Sequence, residues 1–299
     1  MQAMILAAGF GTRLKPYSLY KPKPLFPVLN TPLLLATVKR LENSGFSKIV
    51  VNCHHLREQI VDTLRPIPEV IIQEERQILG TGGGLRQALD KIDDEPLLVT
   101  NGDIYHLLDF AELYRHHLQS GNELTMALHD YPRFNKIIVE DGRIVHFDGD
   151  PSVPETLAYT GIQVINPDLL SPIKKETASC IIEYYRTLLA QSRVIHMRRF
   201  DDSFWTDMGT PGDYLDLHRA LLTGEIPRWP ELDCDADSIC MDPQAQCSDD
   251  IELMEWACIG RARIGSGVQL SRCVVWDGTE IVQDTVLSDE IVGPQSLKD

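Results

Sequence analysis

The sequence predicts an α/β protein in which helices flank a mixed sheet and a short parallel β-helix closes the chain. Three observations predict it. Apolar runs alternate with helical periodicity over the first hundred residues, later strand-like runs follow one another without helices, and residues 256–299 repeat an aliphatic about every six positions.

Residues 3–8, 48–53, 69–73 and 96–100 are short apolar runs of strand character, and residues 33–43, 55–64 and 82–92 space their apolar side chains as helices do. That order implies βαβ units and a largely parallel sheet, with ligands at the carboxyl ends of its strands. Runs at 123–129, 136–139, 143–147 and 156–165 lack intervening helices, which makes the sheet mixed. From Pro227 to Glu255 the pattern dissolves into an acidic stretch that includes Glu231, Asp233, Asp235 and Asp237. The expected organisation is a domain over 1–225, an acidic connector over 226–255 and a β-helix over 256–299, too short to stand without a neighbour covering its ends.

The chain has 299 residues, 43% hydrophobic and 24% charged, an ordinary globular composition. Its net charge of −16 argues against nucleic acid or an anionic membrane as a general partner. No apolar run approaches the roughly 20 residues of a bilayer span. The apolar start runs straight into a Gly-rich turn with no cationic segment before it, so a cytoplasmic, unprocessed protein is expected. Seven cysteines without a Cys-x-x-Cys pair read as reduced thiols, and the spacing of Cys234, Cys240 and Cys247 matches no zinc pattern. The pairs His54-His55 and His116-His117 read as capping or solvated residues, because neighbours in sequence point in different directions.

The charge is uneven. Up to Leu41 there are six cations and no carboxylate, and Arg13, Lys15, Lys21 and Lys23 all lie between Gly9 and Pro24. The first strand runs into Leu6-Ala7-Ala8-Gly9-Phe10-Gly11-Thr12-Arg13-Leu14, and Lys21-Pro22-Lys23-Pro24 follows. Glycines after a strand let backbone N–H groups turn toward a polyphosphate, whose charge Arg13 and Lys23 can neutralise. A Walker loop is excluded because no Gly-Lys-Ser/Thr occurs. A dinucleotide fingerprint fits poorly, since Leu14 stands at its third glycine and Asn52 where an acidic ribose ligand is wanted.

Two carboxylates stand at places suited to a divalent cation. Residues 97–100 deliver Asn101-Gly102-Asp103 to a strand end, and Trp205-Thr206-Asp207-Met208-Gly209-Thr210-Pro211 puts a second Asp just before a helix start. Mg²⁺ takes one or two protein carboxylates and completes its shell with phosphate oxygens and water. An isolated strand-end Asp is more often a turn former or helix cap than a metal ligand.

The combination of Gly9-Phe10-Gly11-Thr12-Arg13-Leu14 with Pro22-Lys23 resembles the signature of the sugar-1-phosphate nucleotidyltransferases, which join a sugar 1-phosphate to a nucleoside triphosphate and release diphosphate. The resemblance covers residues 1–224 and extends to the tail, since several members carry a left-handed β-helix there. It implies a Rossmann-like, GT-A-like fold and Mg²⁺ held by Asp103 and Asp207. It implies that Ala7, Ala8, Gly9, Gly11, Thr12 and Gly80 border the nucleotide, that Asn101 and Gly161 contact the sugar, and that Arg13 and Lys23 are catalytic. The run Gly82-Gly83-Gly84 and residues 157–162 are most similar to the branch that makes UDP-N-acetylmuramic acid. Mannose-1-phosphate guanylyltransferases share much of the same texture.

One departure stands out. Where many relatives carry Glu-Lys-Pro with a sugar-phosphate lysine, this chain reads Asp148-Gly149-Asp150-Pro151, leaving Lys23, the metal, Lys136 or Arg143 to serve. A non-catalytic, nucleotide-sugar-binding relative is the second reading. A hexapeptide-type acyltransferase is a third, disfavoured by so short a β-helix. The partners expected are a nucleoside triphosphate and a sugar 1-phosphate, with the tail as a homo-oligomer contact.

Overall fold

The computed structural model describes residues 1–150, 152–153, 155–232, 234 and 237–294. Pro151 of the departure and Asp233 and Asp235 of the acidic stretch lie outside the described residues. Contacts divide the chain into two units, one formed by Met1–Phe10 with Thr37–Trp205 and the other by Gly11–Ala36 with Thr206–Asp299.

The main sheet of the first unit has nine strands among the described residues: β1 (Gln2–Leu6), β2 (Lys48–Cys53), β3 (Val70–Glu74), β4 (Leu97–Asn101), β5 (Leu124–His129), β6 (Ile137–Glu140), β7 (Arg143–His146), β8 (Thr156–Ile165) and β9 (Ile195–Arg199). Their order across the sheet is β3-β2-β1-β4-β8-β5-β9-β7-β6. Strands β3, β2, β1 and β4 are parallel, β8 runs antiparallel between β4 and β5, and β9 returns parallel to β5. The sheet is mixed, as the consecutive later runs imply.

Strands β1, β4 and β5 read as continuous apolar runs because they are covered on both faces. Met4, Val50, Leu97, Val99, Met126 and Leu128 meet Leu85 and Tyr185 of the helices in one core. Helices α1 (Leu33–Asn43), α2 (Arg57–Leu64), α3 (Gly80–Ala88), α4 (Phe110–Ser120) and α5 (Ile181–Ala190) follow the strands they connect. Local chemistry sets their ends. Asp109 caps α4 by accepting from the Ala111 and Glu112 amides, and Gly121 closes it in the left-handed conformation.

In the second unit, α6 (Pro211–Leu222) opens with a capping box in which Thr210 and Asp213 exchange bonds with each other's backbone. Parallel ladders follow: Ile239–Met241 pairs with Glu252–Ile259, which pairs with Gln269–Val275, and Gln246–Cys247 pairs with Arg263–Ile264 and then Glu280–Ile281. Glu252 lies beside Gln269 and Gln269 beside Val286, a repeat of 17 residues, close to three aliphatic spacings of six. Ile259, Ile264, Leu270, Val275 and Ile281 form the interior.

These ladders begin at Ile239, inside the stretch expected as a connector. Asp237, Asp249, Asp250, Glu252 and Glu255 are exposed while Ile239, Cys247, Ile251 and Leu253 pack inward, so high charge coexists with a regular strand repeat. No helix among the described residues is long and apolar enough to cross a membrane.

Candidate active site

In the first unit, the predicted residues gather at the carboxyl ends of the parallel strands. Ala7 follows β1 and is buried, whereas Gly9 and Phe10 are exposed. The Ala7 amide donates to the Asn52 side chain at the end of β2, 2.8 Å away. Gly102 follows β4 and donates its N–H to the Leu6 carbonyl at 2.9 Å. A Cβ there would lie 3.0 Å from Ile5 and 3.2 Å from the Leu6 oxygen, so a glycine lets the exit of β4 lie against that of β1 and brings Asp103 to both strand ends.

Gly161 sits in β8 at φ +81°, where the register against β5 shifts between Tyr159 and Gln163. A Cβ on Gly161 would stand 2.6 Å from Asn101 Nδ2, so the two residues predicted for the sugar are in direct apposition. Trp205 holds this bend by donating Nε1–H to the Thr160 carbonyl at 2.7 Å, and it packs edge-on against His129. Burial pushes the His129 imidazole below its usual pKa, which keeps that wall neutral.

The glycines of α3 have a different neighbour. Gly80 adopts φ +65°, and a Cβ there would lie 2.6 Å from the Ser179 carbonyl oxygen. Gly82 donates to the same oxygen, and a Cβ on Gly83 would lie 2.5 Å from the Thr177 carbonyl. The side-chain space of Gly80 and Gly83 is thus filled by the segment before α5, which accounts for these glycines by packing.

In the second unit, Gly11 (φ +60°) opens the 3₁₀ turn Thr12–Leu14, and a Cβ on it would press on Lys23 Cβ and Ser18 Cβ at 3.3 Å each. The turn leaves Arg13 exposed, with Nη2 donating to Asp207 Oδ2 at 2.9 Å. Lys23, in its own 3₁₀ turn, is only 5% exposed and donates Nζ–H to the Asp207 backbone oxygen at 2.5 Å. Asp207 Oδ1 accepts from the Gly209 amide at 3.1 Å. Three predicted residues therefore form one cluster of two cations on one acidic residue, which is a geometry suited to phosphate oxygens.

Among the stand-ins for the missing family lysine, Lys136 and Arg143 part company. Lys136 donates its amide to the Leu157 carbonyl, and Ala158 pairs with His129, so Lys136 stands at the carboxyl ends of the parallel strands. Arg143 pairs with His196 beside Thr125, at the opposite end. Asp148 is held by Arg186 at 2.5 Å.

His54 Nδ1 bonds the Glu75 carbonyl, and buried His117 joins Thr125 and Asn166. Among the described residues no group of three or more His, Cys, Asp or Glu side chains could hold a metal.

The sequence offers Asn52 only as a misfit for a ribose ligand, His54 only as a capping or solvated residue and Glu75 only as part of a stretch that the resemblance sets beside the nucleobase, and their bonds to one another are not readable from it. A buried polar residue ending an apolar strand was the one available signal.

The family model described as Nucleotidyl transferase matches residues 2–224. The chain belongs to that family and is a sugar-phosphate nucleotidyltransferase.

It is similar to mannose-1-phosphate guanylyltransferase 1 of Arabidopsis thaliana, at 28% identity over 98% of this chain and 86% of the relative. The mannose-1-phosphate guanylyltransferase catalytic subunit beta of Dictyostelium discoideum is 30% identical over 78% of this chain and 67% of its own. Among solved structures, HddC from Yersinia pseudotuberculosis complexed with GMP-PN shares the fold, with a TM-score of 0.62 and 23% identity over 73% of this chain and 97% of its own.

Proposed function

We propose that the chain joins GTP to mannose 1-phosphate, giving GDP-mannose and diphosphate. The match to guanylyltransferases over 98% of this chain, tail included, carries the reading. A sugar-phosphate oxygen attacks the α-phosphorus in line, and the bond to the β-phosphate oxygen breaks as diphosphate leaves. Positioning and charge neutralisation supply the catalysis, since such transfers ask little covalent work of a protein.

The backbone of Ala7, Ala8, Gly9, Gly11 and Thr12, with Gly80, borders the nucleotide. Arg13 holds the leaving diphosphate and Lys23 the α-phosphate or sugar phosphate. Arg13 uses one Nη2–H on Asp207, and the remaining N–H groups of its exposed guanidinium are available to phosphate oxygens. Asn101 and Gly161 contact the sugar, and Lys136 is the candidate for the phosphate that the family lysine holds elsewhere.

Asp103 and Asp207 are the proposed Mg²⁺ ligands. Carboxylate oxygens are the donors that Mg²⁺ takes, and an ion held by Asp103 and Asp207 would complete its shell with phosphate oxygens and water. Mg²⁺ bound there supplies charge neutralisation to the reacting phosphates.

A cytoplasmic location is proposed from the odd number of cysteines and the lack of a Cys-x-x-Cys pair in the sequence. The C-terminal ladders are proposed to wind as a left-handed β-helix that serves as a homo-oligomer contact. Light scattering after deletion of residues 256–299 tests that contact, and an unchanged mass per subunit would remove it.

Diphosphate release with Mg²⁺, crossing five nucleoside triphosphates with glucose, mannose, N-acetylglucosamine and N-acetylmuramic acid 1-phosphates, tests the reaction. GTP with mannose 1-phosphate is the expected pair. Preference for UTP with N-acetylmuramic acid 1-phosphate would overturn the substrate assignment and favour the branch sharing the Gly82–Gly84 run. Silence across the grid would overturn the pair named here and point to a sugar 1-phosphate outside it.

A further inference from the structure

Two buried polar side chains in the first unit join segments far apart in sequence. Asn52 is 2% exposed and Glu75 is 1% exposed. Asn52 Oδ1 accepts from the Ala7 amide at 2.8 Å, and its Nδ2 donates to Glu75 Oε1 at 2.8 Å. Glu75 Oε2 then accepts from the Leu79 amide at 2.9 Å. One continuous chain of bonds therefore runs from the turn after β1, through two side chains, to the residue that precedes Gly80.

The surroundings leave this chain little freedom. The Glu75 amide donates to the Cys53 carbonyl at 2.9 Å, and its carbonyl is met by His54 Nδ1 at 2.9 Å. A Cβ on Gly84 would lie 2.9 Å from Asn52 Nδ2 and 3.0 Å from Glu75 Oε1. The first turns of α3 thus close over the pair. Buried hydrogen bonds of this kind are costly to break, because the partner left behind stays desolvated.

We propose that Asn52 and Glu75 are a positioning pair that fixes the distance between the Ala7–Gly9 turn and the Leu79–Gly80 turn, and so sets the width of the nucleotide site. Neither residue need touch substrate. The inference rests on the reading of Ala7 and Gly80 as nucleotide-bordering residues, and it predicts an effect confined to the nucleotide. Its chemistry is directional: the Asn52 amide donates and both Glu75 oxygens accept.

That directionality supplies the test. Asn52→Asp sets two carboxyl groups against each other, and Glu75→Gln sets an N–H₂ group against an N–H donor. The double variant restores complementarity, since Asp at 52 accepts from Ala7 and from the Gln at 75, whose oxygen accepts from Leu79. Each single change is expected to raise the nucleotide KM about tenfold or more, with the sugar-phosphate KM within about twofold of wild type, and the double variant to recover most of the loss. A double variant no better than the worse single one, or singles with a wild-type nucleotide KM, would overturn the proposal.

Amide hydrogen exchange gives a readout independent of the reaction. Exchange at Ala7 and Leu79 should quicken in the single variants and slow again in the double, and unchanged exchange overturns the proposal even if the wild-type protein turns over none of the tested substrates. If Asn52→Asp does not fold, Gly84→Ala presses on the same pair from α3. It is expected to raise the nucleotide KM alone, and a rise in both KM values would assign the pair to fold maintenance.

Discussion

The guanidinium of Arg13 and the carboxylate of Asp207 are bonded at 2.9 Å although 194 residues separate them in sequence. Lys23 reaches the backbone oxygen of the same Asp207, so one acidic residue organises both signature cations. The pair is half open to water, since the Arg13 side chain is 57% exposed, and an exposed pair adds little stability. Its significance lies in fixing where both cations stand.

Asp207→Asn should therefore leave the fold intact and lower turnover by on the order of 10² or more, as should Arg13→Ala and Lys23→Ala. Gly209→Ala is a finer probe, because a Cβ there would lie 2.6 Å from Arg13 Nη1 and 2.8 Å from Asp207 Oδ2. Steady-state rates beside circular dichroism check both. Near-normal turnover in a folded Asp207→Asn protein would remove that residue from the chemistry.

Gly161→Ala should act on the sugar side. Its backbone lies at φ +81°, which an L side chain tolerates poorly, and the new methyl would meet Asn101 Nδ2 at 2.6 Å. The expected result is a sugar-phosphate KM raised about tenfold or more, with the nucleotide KM little changed. Equal rises in both would place Gly161 in general packing instead.

The sequence made the sheet legible where burial is two-sided, because β1, β2, β4 and β5 then appear as unbroken apolar runs. Arg13, Lys23, Asp103 and Asp207 were legible only as members of motifs. Asn52 and Glu75 were not, since 23 residues and α2 separate them and their partner Ala7 lies 45 residues from Asn52. Nothing periodic records such a contact. The joining of Gly11–Ala36 with Thr206–Asp299 was invisible for the same reason. The ladder strands at Ile239–Met241 and Gln246–Cys247 were hidden by their shortness among acidic residues.

Stability should fall in mild acid. His218 is wholly buried, with Nε2 accepting from the Leu29 amide and Nδ1 donating to the Tyr214 carbonyl, and burial pushes its pKa down to about 4. The unfolded imidazole titrates near 6.5 and binds a proton that the folded one refuses. Stability is thus fully present above about pH 6.5 and is lost as pH falls toward 4, at up to about 1.4 kcal/mol per pH unit from this group. Buried His117 is shifted in the same direction. His218→Gln keeps one acceptor and one donor without a titration, so its Tm should decline less steeply between pH 6.5 and 4. An equal slope in the two proteins would exclude His218 as a source.

Trp276 should prove a keystone of the second unit. Its indole N–H donates to Tyr214 Oη at 3.2 Å, Tyr214 donates in turn to the Pro27 carbonyl, and the Trp276 ring meets Phe26 edge-on at 4.8 Å. The Lys21 ammonium lies over the same ring at 5.8 Å. One C-terminal strand end is thereby tied to α6 and to the segment that carries Lys23. Trp276→Ala should cost about 3–5 kcal/mol, the range for emptying a buried aromatic site. Trp276→Phe keeps the ring contact and forfeits one hydrogen bond, for about 1 kcal/mol. Denaturant midpoints at constant slope check both. If Trp276→Ala cost no more than Trp276→Phe, the ring contact with Phe26 would carry little of the stability and the hydrogen bond to Tyr214 would be the part that matters.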